Sequence, residues 1–225
     1  VPIITPGSGG GGGGAISGVT VTGTAAAGNI IVASSSSAGA WAAPLGLPSL
    51  IYRYTVAGSA KLNIDTGVDT PDAGSNNWAN GDVLEAWITT QSTTAAAAAS
   101  LFITFNNDTS SNYYDQVVSG VSTTAAAGTS LARANMIVAT HGNAGSTVFP
   151  GIVRLTIPAY AQTVFGKVIE VAAAVSDATA GNNGINVYAY GYALTPAITR
   201  MKVAESAGAN LAVGSQLLIY KRQAA

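Results

Sequence analysis

The sequence predicts an all-β protein: an antiparallel β-sandwich of the jelly-roll type over residues 46–225, preceded by an extended Gly-rich anchor segment over residues 1–45. Three observations predict it. Short runs of alternating apolar and polar residues recur from about residue 50 onward, bounded by Gly, Asn, Asp and Ser clusters. Helix signals are weak: the Ala runs at 95–99 and 125–127 favour helix by propensity alone, are flanked by Thr or Gly, and read as loops or single turns between strands. Ahead of both lies "GSGGGGGG" at residues 7–14, a tract that forms neither helix nor strand unaided.

That tract is followed by Ala15-Ile16-Ser17, so it lacks the Lys and the adjacent hydroxyl of a phosphate-binding loop and reads as a flexible tether. The rest of the segment holds two short β-prone runs, Val19 to Thr22 and Ile30 to Val32, then "SSSS" at 34–37, Trp41 and Pro44. Large apolar residues are too few here for an independent core, so the segment is expected to be ordered by packing on something else.

In the body the candidate strands are "IYRYTV" (51–56), "DVLEAWITT" (82–90), "SLFITF" (100–105), "NMIVAT" (135–140), "IVRLTIP" (152–158), "VFGKVIEVAAAV" (164–175), "INVYAYGYAL" (185–194), "AITRMKVA" (197–204) and "SQLLIYK" (215–221). In "VLEAWIT" Leu84, Ala86 and Ile88 separate from Val83, Glu85 and Trp87. In "IVRLTI" Val153, Leu155 and Ile157 separate from Arg154 and Thr156. One wet and one buried face is the antiparallel habit. The last two runs flank "SAGANLAVGS", so a closing hairpin is expected, with Gly208 and Gly214 taking unusual backbone angles.

Charged residues are only 8% of the 225-residue chain, against roughly 25% in typical soluble domains. Such a chain can lie against other chains with little ionic desolvation. The net charge is −1 and the 9 Lys and Arg are scattered, so nucleic acid is not an expected partner. No apolar run approaches the roughly 18 residues of a bilayer span, and no membrane role is expected. The absence of Cys excludes disulfides, Cys–zinc sites and thiol chemistry.

Candidate chemistry is sparse. His141, in "VATHGNAG", is the single histidine, and no G-x-S-x-G elbow pairs with it. Asp65, Asp69 and Asp72 cluster in "DTGVDTPD", where a calcium loop is conceivable. Their spacing is not that of an EF-hand, and a solvated turn is the preferred reading. Tyr188, Tyr190 and Tyr192 recur at spacing two, so in a strand they share one face. Exposed, they would stack on sugar rings; a buried or interfacial layer is preferred. Trp78, amid Asn and Gly, is the better exposed candidate, although a loop Trp is more often a lid on the core than a ligand shelf; Asp108 and His141 are further loop candidates for glycan contact. No cofactor is expected.

Two sets of motifs carry a family resemblance. "GTAAAGNIIVASSSSAGAW" (23–41), with Gly23, Gly28, the run Ile30, Ile31, Val32, Ala33, and Trp41, resembles the short anchoring segment near the N-terminal side of head domains in tailed-bacteriophage fibre and tail proteins. "FNNDTSSNYYDQ" (105–116), "IPAYAQTVFGKVIEV" (157–171) and "AITRMKVAESAGANLAVGSQLLIYKR" (197–222) are similar to jelly-roll domains of phage virion proteins. The resemblance implies a non-enzymatic virion structural protein of fibre, spike, decoration or minor tail type, located on the head or tail of the particle. It implies docking to other virion proteins through the N-terminal segment, here through Gly23, Gly28, Ile31 and Trp41, and a homotrimer. The resemblance implies no ligand; contact of the projecting jelly roll with host-surface polysaccharide is a separate expectation, with the Gly tract spanning from the point of attachment. A carbohydrate-binding lectin using Trp78 or the Tyr stripe, and a capsule hydrolase needing a carboxylate pair, are the rival expectations.

Overall fold

The computed structural model describes residues 48–79, 81–93, 100–121, 124–138, 150–175, 184–206 and 208–222, together with the backbone of four short strands nearer the N-terminus. The chain divides into two units, Val1–Leu47 and Pro48–Ala225. In the first, β1 (Ala15–Ile16) pairs with β2 (Val19–Thr20), and β3 (Ile30–Ser35) pairs with β4 (Ala38–Ala42). Ile31 lies opposite Trp41 in the β3–β4 register. Gly23 and Gly28 fall outside the described residues.

The second unit is an antiparallel β-sandwich. Its strands are β5 (Ser49–Thr55), β6 (Asn63–Asp65), β7 (Val83–Thr90), β8 (Leu101–Phe105), β9 (Tyr113–Val121), β10 (Thr124–Arg133), β11 (Met136–Val138), β12 (Gly151–Pro158), β13 (Lys167–Val175), β14 (Gly184–Tyr192), β15 (Met201–Glu205) and β16 (Gln216–Arg222). An eight-stranded sheet runs in the order β10-β9-β14-β13-β12-β7-β16-β5, and a four-stranded sheet in the order β11-β8-β15-β6. Along the sequence the chain repeatedly leaves the large sheet for one strand of the small sheet and returns. No helix occurs among the described residues.

The alternation read from the sequence holds on the inward side of β7 and β12, but Glu85, read as a wet position of β7, is buried with Arg154 and Arg222 as its ion-pair partners. Leu84, Ala86 and Ile88 of β7 and Val153, Leu155 and Ile157 of β12 are buried. They meet Ile64, Leu101, Ile103, Met136, Met201 and Val203 of the small sheet in one core. Aromatic rings fasten one end of the sandwich: Tyr113 stacks on Tyr192 with centroids 5.0 Å apart, and Phe105 of the small sheet lies 5.7 Å from Tyr192. The Tyr113 hydroxyl accepts from the Phe105 backbone N–H at 2.8 Å, and the Tyr190 hydroxyl donates to the Ile137 carbonyl, so both hydroxyls bridge the sheets. Asn106 and Asn107, both at positive φ, turn the chain between β8 and β9, a conformation Asn tolerates better than most residues.

Two expectations are corrected. The segments "AITRMKVA" and "SQLLIYK" do not pair: β15 lies between β8 and β6 in the small sheet, whereas β16 lies between β5 and β7 in the large one. Residues 206–215 are therefore a crossing between layers, tied down at Leu211 by bridges to Lys61 and Ser92. Gly208 and Gly214 do take positive φ, at 75° and 92°. The Ala run 125–127 is not a loop but part of β10, where pairing with β9 supplies the ladder that low strand propensity did not announce.

The edges of the two sheets are treated unequally. The edge strands of the small sheet, β6 and β11, are three residues each. On the large sheet, β5 is capped by the segment 72–76. Arg53 N–H donates to the Ala73 carbonyl at 2.8 Å, and Asp72 N–H donates to the Arg53 carbonyl at 2.6 Å. Asn76 N–H donates to the Ile51 carbonyl at 2.7 Å, and Thr55 N–H donates to the Asp72 carboxylate at 2.7 Å. Gly74 permits this close approach: its φ is +101°, and a Cβ there would stand 2.5 Å from the Ile51 backbone.

Candidate functional site

The residues singled out in the sequence are mostly enclosed. Trp78 is buried, its Nε1–H donating to Asn76 Oδ1 at 2.8 Å and its carbonyl accepting from the Tyr160 hydroxyl at 2.8 Å. It closes the core and offers no ring to a ligand. Tyr188, Tyr190 and Tyr192 are buried too, which fits the preferred reading of the stripe and removes it as a sugar platform. Asp108 holds its own loop, accepting from Ser110 N–H and from Asn112 Nδ2, each at 2.9 Å. His141 lies outside the described residues.

The three clustered aspartates do not converge. Asp65 takes a two-pronged bond from Arg200, Nε to Oδ1 at 2.7 Å and Nη2 to Oδ2 at 2.6 Å, with Gly67 N–H adding a third. Burial pushes the Asp65 carboxyl up, but the bonds from Arg200 and Gly67 outweigh it and hold its pKa below the usual value. Asp69 accepts from Lys61 Nζ at 2.6 Å and from the Asp65 backbone N–H, and Asp72 caps β5. Each carboxylate already has its partner, and no three His, Cys, Asp or Glu among the described residues are grouped to hold a metal ion. These partners are those of turn and edge chemistry, the reading preferred from the sequence.

What the structure leaves exposed is the outer face of the large sheet. Registers across its strands place these side chains in rows. One row runs Val118, Val187, Ala172, Arg154, Trp87 and Leu218 over β9, β14, β13, β12, β7 and β16. The next runs Gly120, Ile185, Ala174, Ile152 and Thr89. The third runs Gln116, Ala189, Glu170, Thr156, Glu85 and Tyr220. Val118, Ile185 and Val187 are 60%, 65% and 55% exposed, with Ile152 nearly half exposed beside them. Small residues at the centre, Ala172 and Ala189, leave an open depression of about 520 Å³ rimmed by Gln116, Val118, Val187, Arg154, Thr156 and Glu170.

Toward β7 and β16 the face becomes polar and preorganised. Glu85 accepts from Arg222 Nη2 at 2.6 Å and from Arg154 Nη2 at 3.4 Å. The Arg154 guanidinium also lies 5.1 Å from the centroid of the Trp87 ring, which is 39% exposed. Arg154 thus takes part in both a cation–π contact and an ion pair while its side chain stays about half exposed. From the sequence, Glu85, Trp87, Arg154 and Thr156 fall on the outward positions of their strands, but none was singled out as a site. The signal was present, because Ile152, Val168, Ile185 and Val187 are apolar residues in the register that a one-sided sheet gives to polar ones.

Compared with known protein families, curated proteins and solved structures, the chain matches none.

Proposed function

We propose that this chain is a structural component of a phage virion, a fibre, spike, decoration or minor tail protein, and that it acts by contact and not by catalysis. The observation that carries this reading is the apolar outer face around Val118, Ile152, Ile185 and Val187. Contiguous exposed apolar surface of this kind is uncommon on free monomers and is characteristic of surfaces that meet another protein. The low charge of the chain suits dense packing among neighbours. The N-terminal segment, with Ile31 opposite Trp41 in its hairpin, would attach the chain to other particle proteins, and residues 7–14 would tether it. Mass spectrometry of density-purified particles made from a genome carrying this sequence tests the reading. Peptides of this chain at several copies per particle are expected, and their absence from infectious particles would overturn it.

A second reading, contact with host-surface polysaccharide, is favoured by one observation: Trp87 presents a half-open ring beside the depression lined by Arg154, Glu170 and Gln116. Aromatic stacking flanked by hydrogen-bonding groups suits a sugar ring. Saturable binding of labelled full-length chain to host cells, competed by purified polysaccharide and lost in Trp87→Ala, is the outcome this reading requires.

A further inference from the structure

The two outer strands of the large sheet differ in a way that points to a partner. Edge strands carry unpaired N–H and C=O groups, and native proteins blunt them by shortness, charge, proline or a covering segment. Here β6 and β11 are short, and β5 is covered by residues 72–76. By contrast β10 is ten residues long and stands at the end of the sheet order with β9 as its single neighbour among the described residues. Thr124, Ala125, Ala126, Ala127 and Gly128 are all exposed, and among the described residues no strand pairs with the outer edge of this stretch. Residues 124–130, "TAAAGTS", contain no charge, no proline and no side chain larger than Thr. The single register shift of β10 falls after Ser130, leaving the ladder regular before it.

We propose that β10 joins a second copy of this chain by edge-to-edge antiparallel pairing, extending the eight-stranded sheet across a two-fold axis. The sequence is compatible with its own reversal: centred on Ala127, the pairing sets Ala126 against Gly128 and Ala125 against Thr129, with no like charges opposed. A foreign strand added to an edge gains its specificity from side-chain pockets beside that edge. The small residues of 124–128 build none, whereas an isologous contact needs only this surface twice. The pairing also continues the exposed face. Ala127 lies opposite Val118 in β9, so the row from Trp87 through Val187 and Val118 would run through Ala127 into the same row of the second copy. This two-fold contact goes beyond the virion reading and does not depend on it; it is also distinct from the homotrimer that the family resemblance implies.

Light scattering of the full chain from low micromolar to submillimolar concentration tests the contact. The expected mass at high concentration is twice that of the 22.3 kDa chain. Along an antiparallel strand the N–H groups alternate between the two sides, so of Ala126→Pro and Ala127→Pro one removes a donor facing outward and the other a donor facing β9. The outward one is expected to abolish the dimer, with the melting temperature unchanged at low micromolar concentration, where the unsubstituted chain is also monomeric. Ala127→Lys, at an exposed side chain, keeps the fold and opposes like charges across the axis. It should weaken association at least tenfold, with partial recovery in high salt. A chain that stays monomeric throughout, a threefold mass, or a dimer that survives all three substitutions would overturn the proposal.

Discussion

Along β14, Tyr188, Tyr190 and Tyr192 turn inward and are buried in the sandwich, while Ile185 and Val187 turn outward and stand more than half exposed. Both faces of one strand carry large apolar side chains, yet only one face has a layer packed on it. The four-stranded sheet covers the inner face, and nothing among the described residues of the body plays that part on the outer face. The inner face therefore holds the body together, while the outer face stands open among the body's described residues.

Substitutions on the two faces should separate these roles. The largest expected effect is on the inner face: Leu155→Ala, at a fully buried position in the middle of β12, should cost about 3 kcal/mol in denaturant unfolding, from lost burial plus the cavity left behind. An equal cost at the outward Val187 would erase the distinction.

Alkaline unfolding should follow from the same burial. Burial raises the pKa of Tyr52, Tyr113, Tyr160, Tyr190 and Tyr192, with Tyr160 and Tyr192 pushed up to about 12. A tyrosine whose folded pKa is raised contributes stability that is fully present below its unfolded value of about 10 and is lost as pH rises through the folded value. Melting temperature is expected to hold up to about pH 10 and fall steeply above it, with tyrosinate absorbance appearing together with loss of structure. Gradual ionisation of the five rings in a chain that stays folded would contradict their burial.

A smaller effect belongs to a single bridge between the layers. Tyr190→Phe removes the hydroxyl that donates to the Ile137 carbonyl and should cost about 0.5–1.5 kcal/mol, the net worth of one intramolecular hydrogen bond. The smallest effect belongs to the outer face: Val187→Ser should change stability by no more than about 0.5 kcal/mol, as at an ordinary exposed site.

The sandwich was legible wherever period-2 alternation was strong, as in β7, β12, β13 and β14. It was not legible in β9, whose Val-rich "VVSGV" lacks alternation, nor in β10, whose "TAAAG" lacks both alternation and strand-forming composition; pairing with neighbours supplies the ladder in both. Sheet membership was also hidden. Nothing local in "AITRMKVA" says that it will pair with β8 and β6 and not with the strand that follows it. The site was read less well than the fold. Trp78 looked exposed because Asn and Gly surround it, but Asn76 at φ 48° folds back to accept its indole N–H and lets the ring sink into the core. The aspartates looked like a group because they are close in sequence; Arg200, Lys61 and the edge of β5, remote in sequence or on another strand, divide them. The exposed face was missed because wet positions were assumed to be polar, whereas Ile152, Ile185 and Val187 occupy them.

The most direct test of the contact role uses the absence of cysteine from this chain. Val187→Cys places a single thiol on the outer face, and its rate of reaction with a small maleimide can be compared in the isolated full chain and in the virion particle proposed to contain it. Fast reaction in the free chain and strong protection in the particle is the predicted result. Equal rates in both would mean that the apolar face meets nothing there, and would contradict the account.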